Sequence, residues 1–364
     1  MSTVTTSPGT RIDLSSELDR LRSAVWQFVT HNYALRTIAQ AVLTVFAVVT
    51  FTFFLIRLMP GNPLSVYIND LVVSQGMSYQ EARDQAISLF AFDPDAPILE
   101  QYLTYVGNLL RGDLGKSIRS PGTTVIDILG RFLPWTLFSV GLSLLISFTL
   151  GVLLGMTMAY RRDTPLDYIL TAIGSFFSSV PNYLIAILIL VVFGVQLKVF
   201  RVSEVIGGFT PGVDTTNTLV YALDILKHAL LPVLTYLIAT VGGWMLTMKG
   251  STISTLGEDY VTVALARGIP DRRIIIAYVG RNAMLPLFTQ LAISIGFVVG
   301  GSVVIENIFQ YPGIGLRLVQ AINGRDYTVM QGVFVVITIA VVLSNIAAEL
   351  LYGVLDPRVR VRHQ

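Results

Sequence analysis

The string with the strongest look of chemistry is LRGDLGKS at 110–117, which ends like a phosphate-binding loop, G-x-x-x-x-G-K-[ST]. Such a loop needs its first glycine so that backbone N–H groups can curl around phosphate, and a buried strand to present it. Leu110 stands in that glycine's place and no buried strand precedes it, so nucleotide binding is not expected there. The embedded Arg111-Gly112-Asp113 tripeptide carries no weight. The chain has no cysteine, which removes thiolate metal sites and cysteine nucleophiles together, and its three histidines are His31, His228 and His363. An intramembrane hydrolase needs a base beside its nucleophile or a metal with carboxylate and imidazole ligands. An ion-coupled carrier keeps an ionisable group within the membrane at a cost of about 2.5–3.5 kcal/mol. The apolar parts of this chain offer neither. The chain is expected to be non-catalytic, with no metal site, and to take its driving energy from elsewhere.

The elements that frame those residues follow from composition. Of 364 residues 53% are hydrophobic and 13% charged, with a net charge of +2, against about 25% charged residues in soluble domains. The mean hydropathy is +0.67. Disorder, coiled coil and nucleic-acid binding all need more charge. Six windows contain no Asp, Glu, Lys, Arg or His: 37–56, 132–160, 168–197, 229–248, 282–305 and 327–348. A helix of about 20 residues crosses a hydrocarbon core about 30 Å thick. Each window is long enough. The expected fold is all-α, a polytopic membrane protein with six transmembrane helices.

Six spans put both termini on one side of the membrane. With that side cytoplasmic, the inner segments hold 14 Lys and Arg in 92 residues, against 11 in 127 outside. Long loops translocate largely regardless of charge, and without the first outer loop the outside count is 5 in 52. Both termini are therefore expected to be cytoplasmic. No cleaved leader is expected, and the first span would act as an uncleaved insertion signal. The expected layout is a cytoplasmic extension at 1–36, a first helix at 37–56, a partly folded external loop at 57–131, a five-helix core at 132–352 and a cytoplasmic tail at 353–364.

Leu14, Leu18, Leu21, Val25 and Phe28 share one face of a helix. That face could lie along the inner membrane surface or pack on protein. In the outer loop, Ser78 to Glu81 is a capping-box pattern that predicts a helix to about Phe92, stopped by Asp93-Pro94-Asp95. A second helix is expected over 98–110, ending at Gly112. Pro181 interrupts the third window beside Ser178, Ser179 and Asn182. Those residues and Gln290 are candidates for the wall of a pathway, or the hydroxyls could satisfy carbonyls freed by a proline kink. Gly151 with Gly155, and Gly296 with Gly300, read as close helix packing.

The inner loop 249–281, KGSTISTLGEDYVTVALARGIPDRRIIIAYVGR, is the most informative segment. Helix is expected over Ser251–Ala266 with Gly257 as a weak point, then a break at Arg267-Gly268-Ile269-Pro270, then a restart at Asp271. A short helix–glycine–helix projection suits contact with a soluble partner, and small residues at Ala264, Ala266 and Gly268 would let that partner approach closely. The segment resembles the EAA loop of ABC importer permeases, with Gly268 and Leu285-Pro286 in place. Thr262, Val263 and Ala264 stand at the E-A-A positions, so only the last matches. This departure resembles the dipeptide, oligopeptide and nickel branch, and several strings are similar to its first permease subunit. They are RLMPGNP (57–63), QYL (101–103), GDLGKS (112–117), SVPNY (179–183), ENIFQYPGIGLRL (306–318) and LDPRVR (355–360). Asn62 replaces the family's acid, and Phe90-Ala91-Phe92 stands where a Leu-Gly pair is usual.

The resemblance implies a type I importer permease fold in a bacterial or archaeal plasma membrane. It implies a homologous second permease, two cytoplasmic ATPase subunits that hold the ATP and Mg, and an external substrate-binding protein. The ATPase-coupling residues would be Glu258, Asp259, Tyr260, Ala264, Ala266, Arg267, Gly268, Ile269, Asp271 and Arg272. The binding protein would dock near Tyr79, Phe90, Phe92 and Tyr102. Peptides are the expected cargo, with oligosaccharides or nickel–chelator complexes as alternatives. A passive channel or a membrane anchor, which would need no ATPase contact, are readings of another class.

Overall fold

A computed structural model describes residues 33–58, 63–90, 96–120 and 122–355. The amphipathic pattern at 12–28, Phe92 and most of LDPRVR lie outside them. Two compact units divide the chain after Ala47. The first, where described, is the leading part of helix α1 (Tyr33–Arg57). The second, from Val48 onward, holds every later helix among the described residues.

The outer loop is mostly helical. Helix α2 (Pro63–Gln75), which the sequence reading did not anticipate, packs on α3 (Tyr79–Phe90) through Ile68, Leu71, Ala82 and Ala86. The capping box is present as expected: Ser78 Oγ meets the Glu81 N–H at 3.3 Å, and the Glu81 carboxylate reaches back to the Ser78 N–H at 3.0 Å. These Ser78 donors hold the Glu81 carboxyl below its ordinary range. Helix α4 (Ile98–Leu110) comes next.

Helices α5 (Val125–Tyr160) and α8 (Thr218–Leu256) are the two long members, 36 and 39 residues. At 1.5 Å per residue they reach about 54 and 58 Å, well past a hydrocarbon core of about 30 Å. The charge-free windows 132–160 and 229–248 are thus the apolar parts of longer rods. Thr124 and Asn217 cap their N-termini by accepting the Asp127 and Val220 N–H groups. The two rods touch at backbone distance. A Cβ on Gly151 would overlap Trp244, and one on Gly155 would overlap the Met245 carbonyl oxygen. That is the close packing expected of this pair. Gly296 repeats it against Ser344 and Val341, whereas a Cβ on Gly300 would make only an ordinary contact, 3.4 Å from Ile337.

Two windows are not single straight helices. Helix α6 (Pro165–Ser179) and α7 (Asn182–Gln196) meet at a 100° bend, and α10 (Asp271–Ala283) and α11 (Leu285–Val298) at 48°. The first break falls at Pro181, whose ring removes a helical N–H and crowds the preceding turn, although Pro134 and Pro232 lie inside the unbroken α5 and α8. Among the described residues, counting each bent pair as one span gives six, with α1, α5, α8 and α14 (Tyr327–Leu355) as the other four. The fifth window, 282–305, needs the redrawing most. Its helix begins at Asp271 and ends at Val298, and Val303 opens a separate short helix, α12 (Val303–Ile308). Helix α13 (Ile314–Gly324) precedes α14.

Candidate functional site

The inner loop forms a folded projection. Helix α8 runs through to Leu256, Gly257 caps it, and α9 (Asp259–Ala266) sets off anew. Gly268 sits in the left-handed region at φ +69°. Its N–H donates to the Leu265 carbonyl at 2.9 Å, and the Ile269 N–H donates to the Ala264 carbonyl at 3.2 Å. This paired pattern is a Schellman cap, which satisfies carbonyls that the helix end leaves open. The apolar contact that accompanies such a cap is there too, since Ile269 packs on a small core of Val261, Ala264, Ile274 and Val279. Ala264 is therefore enclosed by its own element, and its small size serves that core.

The outward surface of the projection carries most of the other residues, while Tyr260 and Ile269 are half-buried. Glu258, Asp259, Ala266, Arg267, Gly268, Asp271 and Arg272 are exposed, beside the exposed apolar Val263, Leu265 and Ile276. A Cβ on Gly268 would meet nothing within 4 Å, so within this chain its glycine is required by backbone angle alone. The projection is fastened to the helix bundle. The Tyr260 hydroxyl accepts from Asn282 Nδ2 at 2.8 Å, and Ser251 Oγ donates to the Ala283 carbonyl at 2.7 Å.

The pathway candidates Ser178, Ser179, Pro181 and Asn182 gather at the α6–α7 break, all exposed. Ser179 Oγ donates back one turn to the Ser175 carbonyl at 2.8 Å, which is not the carbonyl that Pro181 frees. Ser178 lies against Gly242 of α8. Gln290 is exposed on α11, a different element.

E-x-x-F-x-x-P-G-x-G folds around a buried carboxylate. Glu306, 1% exposed, accepts from Thr136 Oγ1 at 2.8 Å and from the Gly315 and Leu316 N–H groups at 2.7 and 3.2 Å. Burial pushes its pKa from 4.5 up to about 7, against the pull of those donors. A Cβ on Gly313 would overlap the carboxylate, and one on Gly315 would come within 2.5 Å of Val303 Cα. The motif's glycines are there for space. GDLGKS makes no phosphate cradle: the Gly115 N–H bonds to Asp113 Oδ1 at 2.8 Å, and Ser117 Oγ donates to Asp326.

The docking candidates separate. Tyr79 is 56% exposed. Phe90 ends α3. Tyr102 turns to the first span, where its hydroxyl meets Thr50 Oγ1 at 2.7 Å and its ring stacks on Phe54.

Comparison with known proteins decides what this architecture is. Residues 151–361 match the family described as "Binding-protein-dependent transport system inner membrane component". The chain belongs to that family. It is a transport permease subunit, in the membrane and crossing it several times. It is 35% identical over 309 residues to a Brucella suis protein provisionally named a peptide permease, covering 85% of this chain and 92% of that one. It is 31% identical over 343 residues to the di/tripeptide transport system permease of Pseudomonas aeruginosa, with 92% and 99% covered. It is 28% identical over 333 residues to the glutathione transport system permease of Escherichia coli K12, with 91% and 99% covered. The resemblance to the peptide-importer branch read from the motifs holds.

Three features of this permease escaped the sequence reading. Asp326 accepts from Ser117 Oγ, from the Ile118 and Arg119 N–H groups at 3.1 and 3.3 Å, and from the Val329 N–H at 3.3 Å. It caps α14 and pins GDLGKS there. An Asp just ahead of an apolar run was a readable capping signal; its partners 208 residues away were not. Asp167 and Lys249 form an ion pair at 2.6 Å. Gly174 meets Gly242 at backbone distance; Gly174 and Ser178 form a small-xxx-small pair that was readable but not singled out, whereas Gly242 has no small residue four positions away.

Proposed function

We propose that this permease is half of the translocation pathway of an ATP-driven, binding-protein-dependent peptide importer. Its inner projection seats in a cytoplasmic ATPase subunit. A homologous second permease completes the pathway, two ATPase subunits hold the ATP and Mg, and an external binding protein delivers cargo. Both termini then lie in the cytoplasm. The observation that supports this most is the build of 258–273: a capped helix packed on a small core with Ile274 and Val279, tied at Tyr260 to Asn282, presenting an apolar and charged face. A mere connector has no need of a core. Peptide cargo rests on the names carried by the relatives.

The test is substitution of an exposed residue whose backbone is ordinary helix. Ala266→Trp should leave insertion and assembly intact while lowering binding-protein-stimulated ATP hydrolysis by about tenfold or more, the scale of losing one interface anchor. Full stimulation in an assembled complex would overturn the ATPase contact. Calorimetry of the binding protein with di- and tripeptides checks the cargo separately, and binding of oligosaccharides or nickel chelates instead would replace it.

A further inference from the structure

We propose that the seam between α6 and α8 is a rigid arm that carries movement of the inner projection to the α6–α7 break, with Asp167 and Lys249 as the residues that position it. The proposal rests on the reading that 258–273 contacts an ATPase.

The seam has three contacts in register. At its inner end Lys249 Nζ lies 2.6 Å from Asp167 Oδ1, with side chains 20% and 5% exposed. Thr171 Oγ1 joins both, accepting from Lys249 at 3.0 Å and donating to Asp167 at 3.2 Å. The Asp163 N–H also reaches the carboxylate, at 3.3 Å. By contrast the neighbouring Arg162–Asp163 pair is 61% and 74% exposed, which leaves it open to water and salt. Further along, a Cβ on Gly174 would come within 2.8 Å of Met245 Cε. At the far end a Cβ on Gly242 would overlap the Gly174 carbonyl oxygen and come within 2.5 Å of Ser178 Oγ.

The spacing puts each set on one helix face: 249, 245 and 242 on α8, against 167, 171, 174 and 178 on α6. From Asp167 to Ser178 the seam covers about 16 Å of α6. Backbone-to-backbone contact leaves no slack to absorb a displacement, and the enclosed ion pair fixes the register. Helix α8 continues unbroken from Gly242 to Leu256, and the projection begins just past Gly257. Its one internal proline, Pro232, lies on the other side of Gly242 from the projection. The nearest joint beyond the seam is the 100° bend at Val180-Pro181. A push on α9 therefore reaches Ser178 through one packed body and is released at the break.

The chain lacks cysteine, so Asn182→Cys gives a single thiol at the break. Its reaction with a polar maleimide is measured in the reconstituted permease–ATPase complex, with and without ATP–vanadate. Adding Asp167→Ala should shrink the nucleotide-dependent change in rate by about fivefold or more while ATP hydrolysis stays within about twofold. The exchange Asp167→Lys with Lys249→Asp should restore the change. A full nucleotide response in the Asp167→Ala complex would overturn the arm while leaving the ATPase contact standing. No nucleotide response with Asn182→Cys alone would likewise overturn the arm, whereas the ATPase contact is judged separately by stimulated hydrolysis in the Ala266→Trp complex. Should Asp167→Ala fail to assemble, Asp167→Cys and Lys249→Cys joined by a short bismaleimide, which adds to both thiols, decide the matter, with ATP–vanadate-dependent protease accessibility of the α6–α7 break as the readout. A joined arm should keep its nucleotide response, and loss of it would show that α6 and α8 must part.

Discussion

Thr136 Oγ1 donates to Glu306 Oε1 at 2.8 Å and accepts the Ile314 N–H, also at 2.8 Å. One hydroxyl thus joins the long helix α5 to both the carboxylate and the helix start of the Pro-Gly-x-Gly turn. Burial raises the Glu306 pKa from 4.5 to about 7, so the folded state keeps a proton that the unfolded chain has released. The resulting stability is fully present below 4.5 and is lost as pH rises through about 7. Thermal unfolding in detergent should show that slope, up to about 3 kcal/mol across the window. Glu306→Gln should flatten it, and an unchanged slope in the variant would locate the titration elsewhere.

Gly268 separates backbone need from surface need. Its φ of +69° costs an alanine about 1–2 kcal/mol, whereas asparagine tolerates that region. Gly268→Asn should keep the projection folded, and Gly268→Ala should loosen it, as read by hydrogen exchange at the Ile269 amide. If Gly268→Asn leaves exchange unchanged and yet abolishes stimulated hydrolysis, the ATPase subunit itself approaches too closely for a side chain.

Adjacent glycines in α8 should behave oppositely. A Cβ on Gly242 would overlap the Gly174 carbonyl, while one on Gly243 meets nothing within 4 Å. Gly242→Ala should destabilise by about 1–3 kcal/mol, because the helices must part. Gly243→Ala should be neutral or slightly stabilising through helix propensity. Equal melting temperatures for the two variants would mean that α6 does not pack on α8 at Gly242.

The outer loop offers a surface for the binding protein at the exposed Tyr79 of α3. Deleting 78–92 with both flanks kept should preserve basal ATP hydrolysis and remove its stimulation by loaded binding protein. Tyr102→Phe should act differently: it removes the bond to Thr50, at a cost of about 0.5–1.5 kcal/mol in stability, without touching stimulation. Stimulation that survives the deletion at unchanged affinity would move the docking surface to 306–326.

What the sequence determined by itself was whatever depends on local composition. Charge-free windows marked the spans, because burying a charge in hydrocarbon is too costly to escape notice over twenty residues. The capping box at Ser78 and the break at Gly268 were equally local, each being a requirement of one helix end; Gly257 showed only as a weak point, and the structure ends the long helix there. Gly151 with Gly155 was legible as a contact face, though not against which helix. Tertiary structure alone decided the rest. It turned the third window through 100°, since a proline announces a break but not the angle its neighbours will accept. It enclosed Ala264 in the projection's own core and turned Tyr102 onto the first span, because facing depends on what packs against a helix. Above all it brought Asp167 to Lys249 and Ser117 to Asp326. Partners 82 and 209 residues apart leave no mark on each other's surroundings in the chain; only the packing of the helices brings them within reach.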